Sequence, residues 1–172
     1  MSGKVQLFGL VTLTTVLLAA CSSSTAPPKS GSLAAITPAP NATGVSTTTS
    51  IVATFSQPMM PEMEQYVDLH VNGVDGQILP MGCTWNGAQT TLTCTPDNPL
   101  AGNAPYTIHL GASMIDQDGA VIDMASWTSM GGQWATSGMM GGMHGGMPLG
   151  SMGFAWKDGM GHYGMLFSFT TN

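Results

Sequence analysis

The stretch CTWNGAQTTLTC, Cys83 to Cys94, has two alternating flanks around a polar, glycine-bearing centre. Strand side chains alternate between faces, so a hairpin turning over Gly87–Thr90 sets Trp85 opposite Leu92 and Cys83 opposite Cys94. All four then share one face, and the two thiols lie where a cross-strand disulfide closes the hairpin. A tighter two-residue turn at Asn86-Gly87 would break that register, so the longer turn is part of the reading. The rival reading of the same thiols is a two-cysteine metal site.

The same alternation extends outward. SIVATFS (50–56), YVDLHVNG (66–73), QILPMGCTW (77–85), TLTCTP (91–96), PYTIHLG (105–111) and MLFSFTT (165–171) are rich in β-branched and aromatic residues. Turn clusters such as NGVDG, PDNPLAGNAP and DQDG separate them. No long 3.6-residue period competes, although PEMEQY (61–66) suits one short helical turn. The expectation is an all-β fold, an antiparallel β-sandwich of six or seven short strands around one core. In it Tyr106, Ile108 and Leu110 face inward, Met81 and Met114 are core, and Trp85 packs in the hairpin. His70 and His109 read as satisfied or solvent-facing strand histidines. Asp116, Asp118 and Asp123 could offer hard oxygens to Ca²⁺, but the segment lacks the length and bidentate Glu of an EF-hand, which favours turn capping by carboxylates.

The first twenty residues have the three regions of an export signal: Lys4, the apolar VQLFGLVTLTTVLLAA, and small residues at the end. Leu18-Ala19-Ala20-Cys21 resembles the lipobox of bacterial lipoproteins, in which the cysteine carries the lipid. The alternative is a soluble secreted protein with an incidental cysteine. Ser22 follows the cysteine, the pattern associated with outer-membrane sorting in cells with two membranes. Residues 21–32, rich in Ser and Pro, then form a solvated tether. Residues 33–172 are enough for one domain with a real core. An exported chain also lives where the Cys83–Cys94 disulfide persists.

Charge excludes several functions. Nine acids stand against three lysines and no arginine, a net charge of −6. Nucleic-acid and phosphate binding need a basic face that this chain cannot build. Cationic ligands are the natural partners of such a surface. There is no nucleophile elbow, His-Glu-x-x-His or phosphate-cradling glycine loop, so nothing points to an enzyme.

Taken together, ITPAPNATGVSTTTSIVATFSQPM (36–59), TTLTCTPDNPLAGNAPYTIHLG (90–111), MIDQDGAV (114–121) and FSFTT (167–171) resemble the bacterial Ig-like domain of the S-layer-protein type. The resemblance implies a seven-strand sandwich used as a spacer or adhesion module without catalysis of its own. It also implies that Met59, in the Phe-Ser-x-Pro-Met motif, is a packing residue.

The sequence departs from that pattern between Ala125 and Gly164, where about forty residues intervene before the last strand. A loop of that length in a small domain is usually functional or disordered. Eight methionines and two histidines lie between Met130 and Met165, embedded in glycine. Thioether sulfur is neutral and soft, a poor ligand for Ca²⁺ but a good one for Cu(I) and, by the same logic, Ag(I). It also stays unoxidised to disulfide in an oxidising compartment. Met139, Met140, Met143, His144 and Met147 are spaced so that sulfurs and an imidazole can converge, and Met152, Met160, His162 and Met165 can complete the site or make a second. The histidines would also admit Cu(II). Trp127, Trp134 and Trp156 offer π-faces to a bound monocation, as in the periplasmic copper and silver chaperone of metal-efflux systems. Met60 and Met63 would support the site if their loop emerges at the same end of the sandwich. Two readings compete with metal binding: a plastic surface for another envelope protein, and a sink for oxidants.

The sequence therefore implies a lipid-anchored, envelope-facing Ig-like sandwich that captures copper or silver for scavenging or transfer, with envelope metal-efflux components as partners. The alternative is an adhesion or protein-interaction module with a methionine-rich contact loop.

Overall fold

The computed structural model describes residues 29–136, 139 and 156–172. Among them are ten strands: β1 (Leu33–Thr37), β2 (Ala42–Val45), β3 (Ile51–Phe55), β4 (Val67–Val71), β5 (Ile78–Leu79), β6 (Met81–Trp85), β7 (Thr91–Pro96), β8 (Pro105–Leu110), β9 (Gln133–Ala135) and β10 (Gly164–Thr171). One sheet runs in the order β1-β3-β7-β6; the other runs β2-β10-β8-β4-β5, with β9 on the edge of β10. All six predicted runs are strands. Three strands lay outside them: β1, β2 and β9. Pro80, which has no N–H for a ladder, separates β5 from β6, so one predicted run becomes a strand in each sheet.

Alternation builds the core. Ile51, Ala53 and Phe55 of β3 and Leu92 and Cys94 of β7 face Leu69, Tyr106, Ile108, Leu110, Phe167 and Phe169 of the opposing sheet, all buried. A buried phenylalanine or leucine of this kind contributes about 1.5–3 kcal/mol through apolar surface removed from water. Tyr106 stacks on Phe169 with ring centroids 5.5 Å apart, and its hydroxyl accepts a hydrogen bond from the Ala101 N–H at 2.8 Å. That bond ties the β7–β8 connection to the strand that follows it, in the manner of the tyrosine corner of Ig domains.

The hairpin has the expected register. Cys83 pairs with Cys94 and Trp85 with Leu92. A disulfide joins the two cysteines. Asn86 organises the turn, its Oδ1 accepting from the N–H groups of Thr90 (2.9 Å) and Thr91 (3.1 Å). Trp85 lies 5.8 Å from the Phe55 ring, and its Nε1–H donates to Glu64 at 2.8 Å. PEMEQY contains the short 3-10 turn Met63–Tyr66.

The Asp116 segment is a capped turn. Asp116 is buried; its Oδ1 accepts from Asp118 N–H (3.0 Å) and Ala120 N–H (2.9 Å), its Oδ2 from Gly31 N–H (3.3 Å). Asp123 caps Ala125 N–H in the same way, at 2.8 Å. Gly31 and Ser32, assigned to the tether by composition, are bonded into the sandwich: Asp123 N–H donates to Gly31 O at 2.8 Å and Ser32 N–H to Ser56 Oγ at 2.9 Å.

Replacing both cysteines by alanine should lower stability by about 2–3 kcal/mol, the chain-entropy value for so short a closed loop, read as a urea midpoint against the oxidised protein. Asp116→Ala should cost about 1–3 kcal/mol, because it strands backbone donors in the interior. Added Ca²⁺ should leave the melting temperature of the unaltered protein unchanged.

Candidate functional site

Neither end of the insertion is loose. Ala125–Met130 form a 3-10 helix, and β9 pairs antiparallel with β10, Ala135 opposite Gly164 and Trp134 opposite Met165. Tyr163 N–H donates to Ala135 O at 2.8 Å, so the chain entering the methionine-rich segment and the chain leaving it lie side by side. Gly132 permits this closeness, since a Cβ there would meet Met165 Sδ at 2.9 Å and Phe167 at 3.0 Å.

The returning chain, Trp156–Tyr163, holds a turn that the sequence did not reveal. Asp158, which next to Lys157 reads as a solvated turn residue, is half-buried and organises it. Its Oδ1 accepts from the N–H groups of Met160 (2.9 Å) and His162 (2.8 Å), and its Oδ2 from His162 Nδ1 at 2.8 Å. Burial alone would raise the Asp158 pKa; the hydrogen bonds from His162 and Met160 outweigh it and hold the carboxyl below its ordinary value. The His162 ring stacks on Trp134, centroids 4.5 Å apart and planes within 15°. In the neutral ring, an Nδ1–H donated to the carboxylate puts the lone pair on Nε2. Metal-ligating histidines usually donate their far N–H to such a carboxylate. Met160 in the same turn is 80% exposed and Met139, beyond β9, 43%.

The predicted site residues therefore divide. Met139, Met160, His162 and Trp134 lie at the two tied ends of the insertion. Met140, Met143, His144, Met147 and Met152 fall outside the described residues, as do Cys21 and the export-signal segment. Met165 and Met63 are both buried, Met165 in the core beside Phe167 and Phe169, Met63 accepting from Ile115 N–H at 3.4 Å. Strand alternation turns Met165 to the inner face of the second sheet. Trp127 is also a core residue; it packs edge-on to Phe167, and its Nε1–H donates to Leu33 O at 2.7 Å. Trp156 is buried against His109 (4.5 Å) and Tyr66 (5.7 Å), so it covers the sheet and is not an exposed π-face. Met60 is 38% exposed, with its N–H on Ile115 O. Met59 and Met114 are fully buried, as packing residues should be.

One arrangement escaped the sequence reading. The outer face of the second sheet, opposite the core, is buried too: among the described residues, His70 and Thr107 meet the β4–β5 turn, and His109 and Leu166 meet Tyr163. Val74, Ala135, Tyr163 and Leu166 form a second apolar cluster there. His70 Nδ1–H donates to Gly76 O at 3.3 Å and His109 Nε2–H to Tyr163 O at 2.8 Å. Gly164 is needed for the second bond, because a Cβ at its φ of 146° would collide with the His109 ring and Leu110 O. The pattern Asp68-Leu69-His70 carried the only hint, two polar residues on one face of a strand.

A two-layer sandwich with this register and a tyrosine corner is an immunoglobulin-like domain. The chain belongs to the bacterial Ig-like domain family, whose profile matches residues 24–130. No curated protein matches the chain. Among solved structures, the S-layer protein rSbsC(31-844) is similar over 56% of this chain and 13% of its own, at 15% identity and a TM-score of 0.41. L,D-transpeptidase 1 of Mycobacterium tuberculosis is similar over 46% of this chain and 35% of its own, at 16% identity and a TM-score of 0.37. The chain thus corresponds to well under half of either protein.

Asp158→Asn should loosen the return turn, costing about 1–2 kcal/mol at neutral pH through weakened charge-assisted bonds. A lowered folded pKa gives stability that is present above the unfolded carboxylate value and is lost as pH falls through the folded value. The difference between variant and parent should therefore vanish in acid, as read by hydrogen exchange at the Met160 and His162 amides.

Proposed function

We propose that this protein is a non-catalytic Ig-like module of the bacterial cell envelope, lipid-anchored through Cys21 at the outer membrane, whose insertion captures soft metal ions. The ions are Cu(I) or Ag(I), with Cu(II) admitted through the histidines, and the role is scavenging or transfer in metal tolerance alongside envelope metal-efflux components. The sandwich is the rigid base; the methionines and histidines from Met139 to His162 are the ligands.

The observation that carries the reading is His162, with Nδ1 on Asp158 and its ring on Trp134, in one turn with exposed Met160. A histidine held this way spends little entropy on ligation, and the tied ends of the insertion limit the volume its thioethers can search. Thioether and imidazole donors without cysteine match Cu(I) in an oxidising compartment. The acidic balance, nine acids against Lys29 and Lys157 once the export signal is removed, favours cation approach.

A second reading rests on the exposed apolar side chains. Met60, Val121, Met130, Met139 and Met160 are all at least 38% exposed, and methionine adapts to varied protein surfaces. In that reading the module contacts another envelope protein.

Cu(I) titration under reducing conditions, against a chromophoric chelator, separates the two. The unaltered protein should compete for Cu(I). A variant with Met139, Met140, Met143, Met147, Met152 and Met160 changed to leucine should bind at least about tenfold more weakly, and His162→Gln should lose about tenfold. Equal Cu(I) binding by the leucine variant would overturn the metal reading in favour of partner contact.

A further inference from the structure

The buried outer face of the second sheet holds a donor set of different chemistry from the insertion. Asp68 and His70 are two residues apart on β4 and so share a face, and Asp68 is the register partner of His109 on β8. One ligand-capable atom from each of the three lies within 4.8 Å of the other two. The two imidazole centroids are 6.1 Å apart, and both histidines are 0% exposed.

Backbone carbonyls fix the tautomers. A carbonyl only accepts, so the nitrogens facing Gly76 O and Tyr163 O, His70 Nδ1 and His109 Nε2, carry the protons. In the neutral rings His70 Nε2 and His109 Nδ1 then bear the lone pairs. These two nitrogens and Asp68 Oδ2 are all shielded from solvent. An imidazole whose far N–H is held by a backbone carbonyl is oriented and made more basic, as in ligating histidines generally. Both carbonyls come from tightly folded backbone: a Cβ on Gly76 would overlap Val71 O, and Gly164 follows Tyr163 directly.

We propose that Asp68, His70 and His109 form a site for one divalent first-row transition ion of the Zn(II) class, on the outer face of the second sheet. Two imidazoles and a carboxylate, with no thioether in the set, select a borderline divalent ion over Cu(I). Three protein ligands leave a position for water. Trp156 lies on the His109 ring and Tyr163 holds its far nitrogen, so the ion would also fasten the insertion's return to the sheet. The site does not depend on the methionine reading.

Full-length protein, stripped by chelator and titrated with Co(II), should develop the visible ligand-field bands of a four- or five-coordinate ion, saturating at about one equivalent and displaced by Zn(II). Zn(II) should raise the melting temperature. The size-matched variants Asp68→Asn and His70→Gln, confirmed as folded by far-UV circular dichroism, should each bind Co(II) about tenfold or more weakly. The leucine variant above and His162→Gln should keep the bands. Absence of bands and of a Zn(II)-dependent melting shift in the unaltered protein overturns the site, as does unchanged affinity in folded Asp68→Asn. If His70→Gln fails to fold, the half-buried Asp68→Asn decides alone. Cu(I) binding should be unaffected by Asp68→Asn, so failure here and failure of the methionine reading are separable.

Discussion

The structure depends on the double-sided burial of β8 and β10. Antiparallel sandwich strands ordinarily bury one face and leave the other to water. Here Tyr106, Ile108, Leu110, Phe167 and Phe169 fill the core, while Thr107, His109 and Leu166 on the opposite face are buried as well. A face carrying histidine and threonine can be covered only if its polar atoms find hydrogen-bond partners. The insertion provides them: Tyr163 O for His109, and a position for Trp156 against the ring. The β4–β5 turn does the same through Gly76 O for His70, and Asn72 O accepts from Thr107 Oγ1 at 2.6 Å.

The insertion is therefore part of the domain's architecture as well as an addition to it. Its first residues extend the second sheet through β9, and Trp127 plugs the core from the 3-10 helix. Its last residues cover that sheet. Between these anchors lies the stretch richest in methionine. This arrangement holds both described ends of the insertion against the second sheet.

Much of the fold was legible because alternation is a local signal. Cys83, Trp85, Leu92 and Cys94 share a face in any hairpin of the right turn length, and Tyr106, Ile108 and Leu110 alternate inward along β8. The short strands β1, β2 and β9 were not legible: three to five residues with Ala, Gly and Thr carry almost no period. The site was only partly legible. Residue softness picked out Met139, Met160 and His162, which lie at the ends of the insertion, together with Met165, Met63 and Trp127, which pack in the core. Thioether and methylene groups are nearly equivalent to a packed interior. Only position tells a ligand methionine from a packing one.

The all-β class, the register of the Cys83–Cys94 hairpin, the Asp116 turn and a soft, glycine-rich insertion were readable from local pattern. Each of these follows from interactions within a few residues or across one hairpin. Tertiary structure alone decided that Asp68, His70 and His109 share one buried face, that Asp158 orients His162 against Trp134, and that Trp156 covers a histidine. The physical reason is separation along the chain: His109 meets Tyr163 only because β8 and β10 are neighbours in the sheet. No periodicity in either segment records which strand will lie beside it, or what will lie over both.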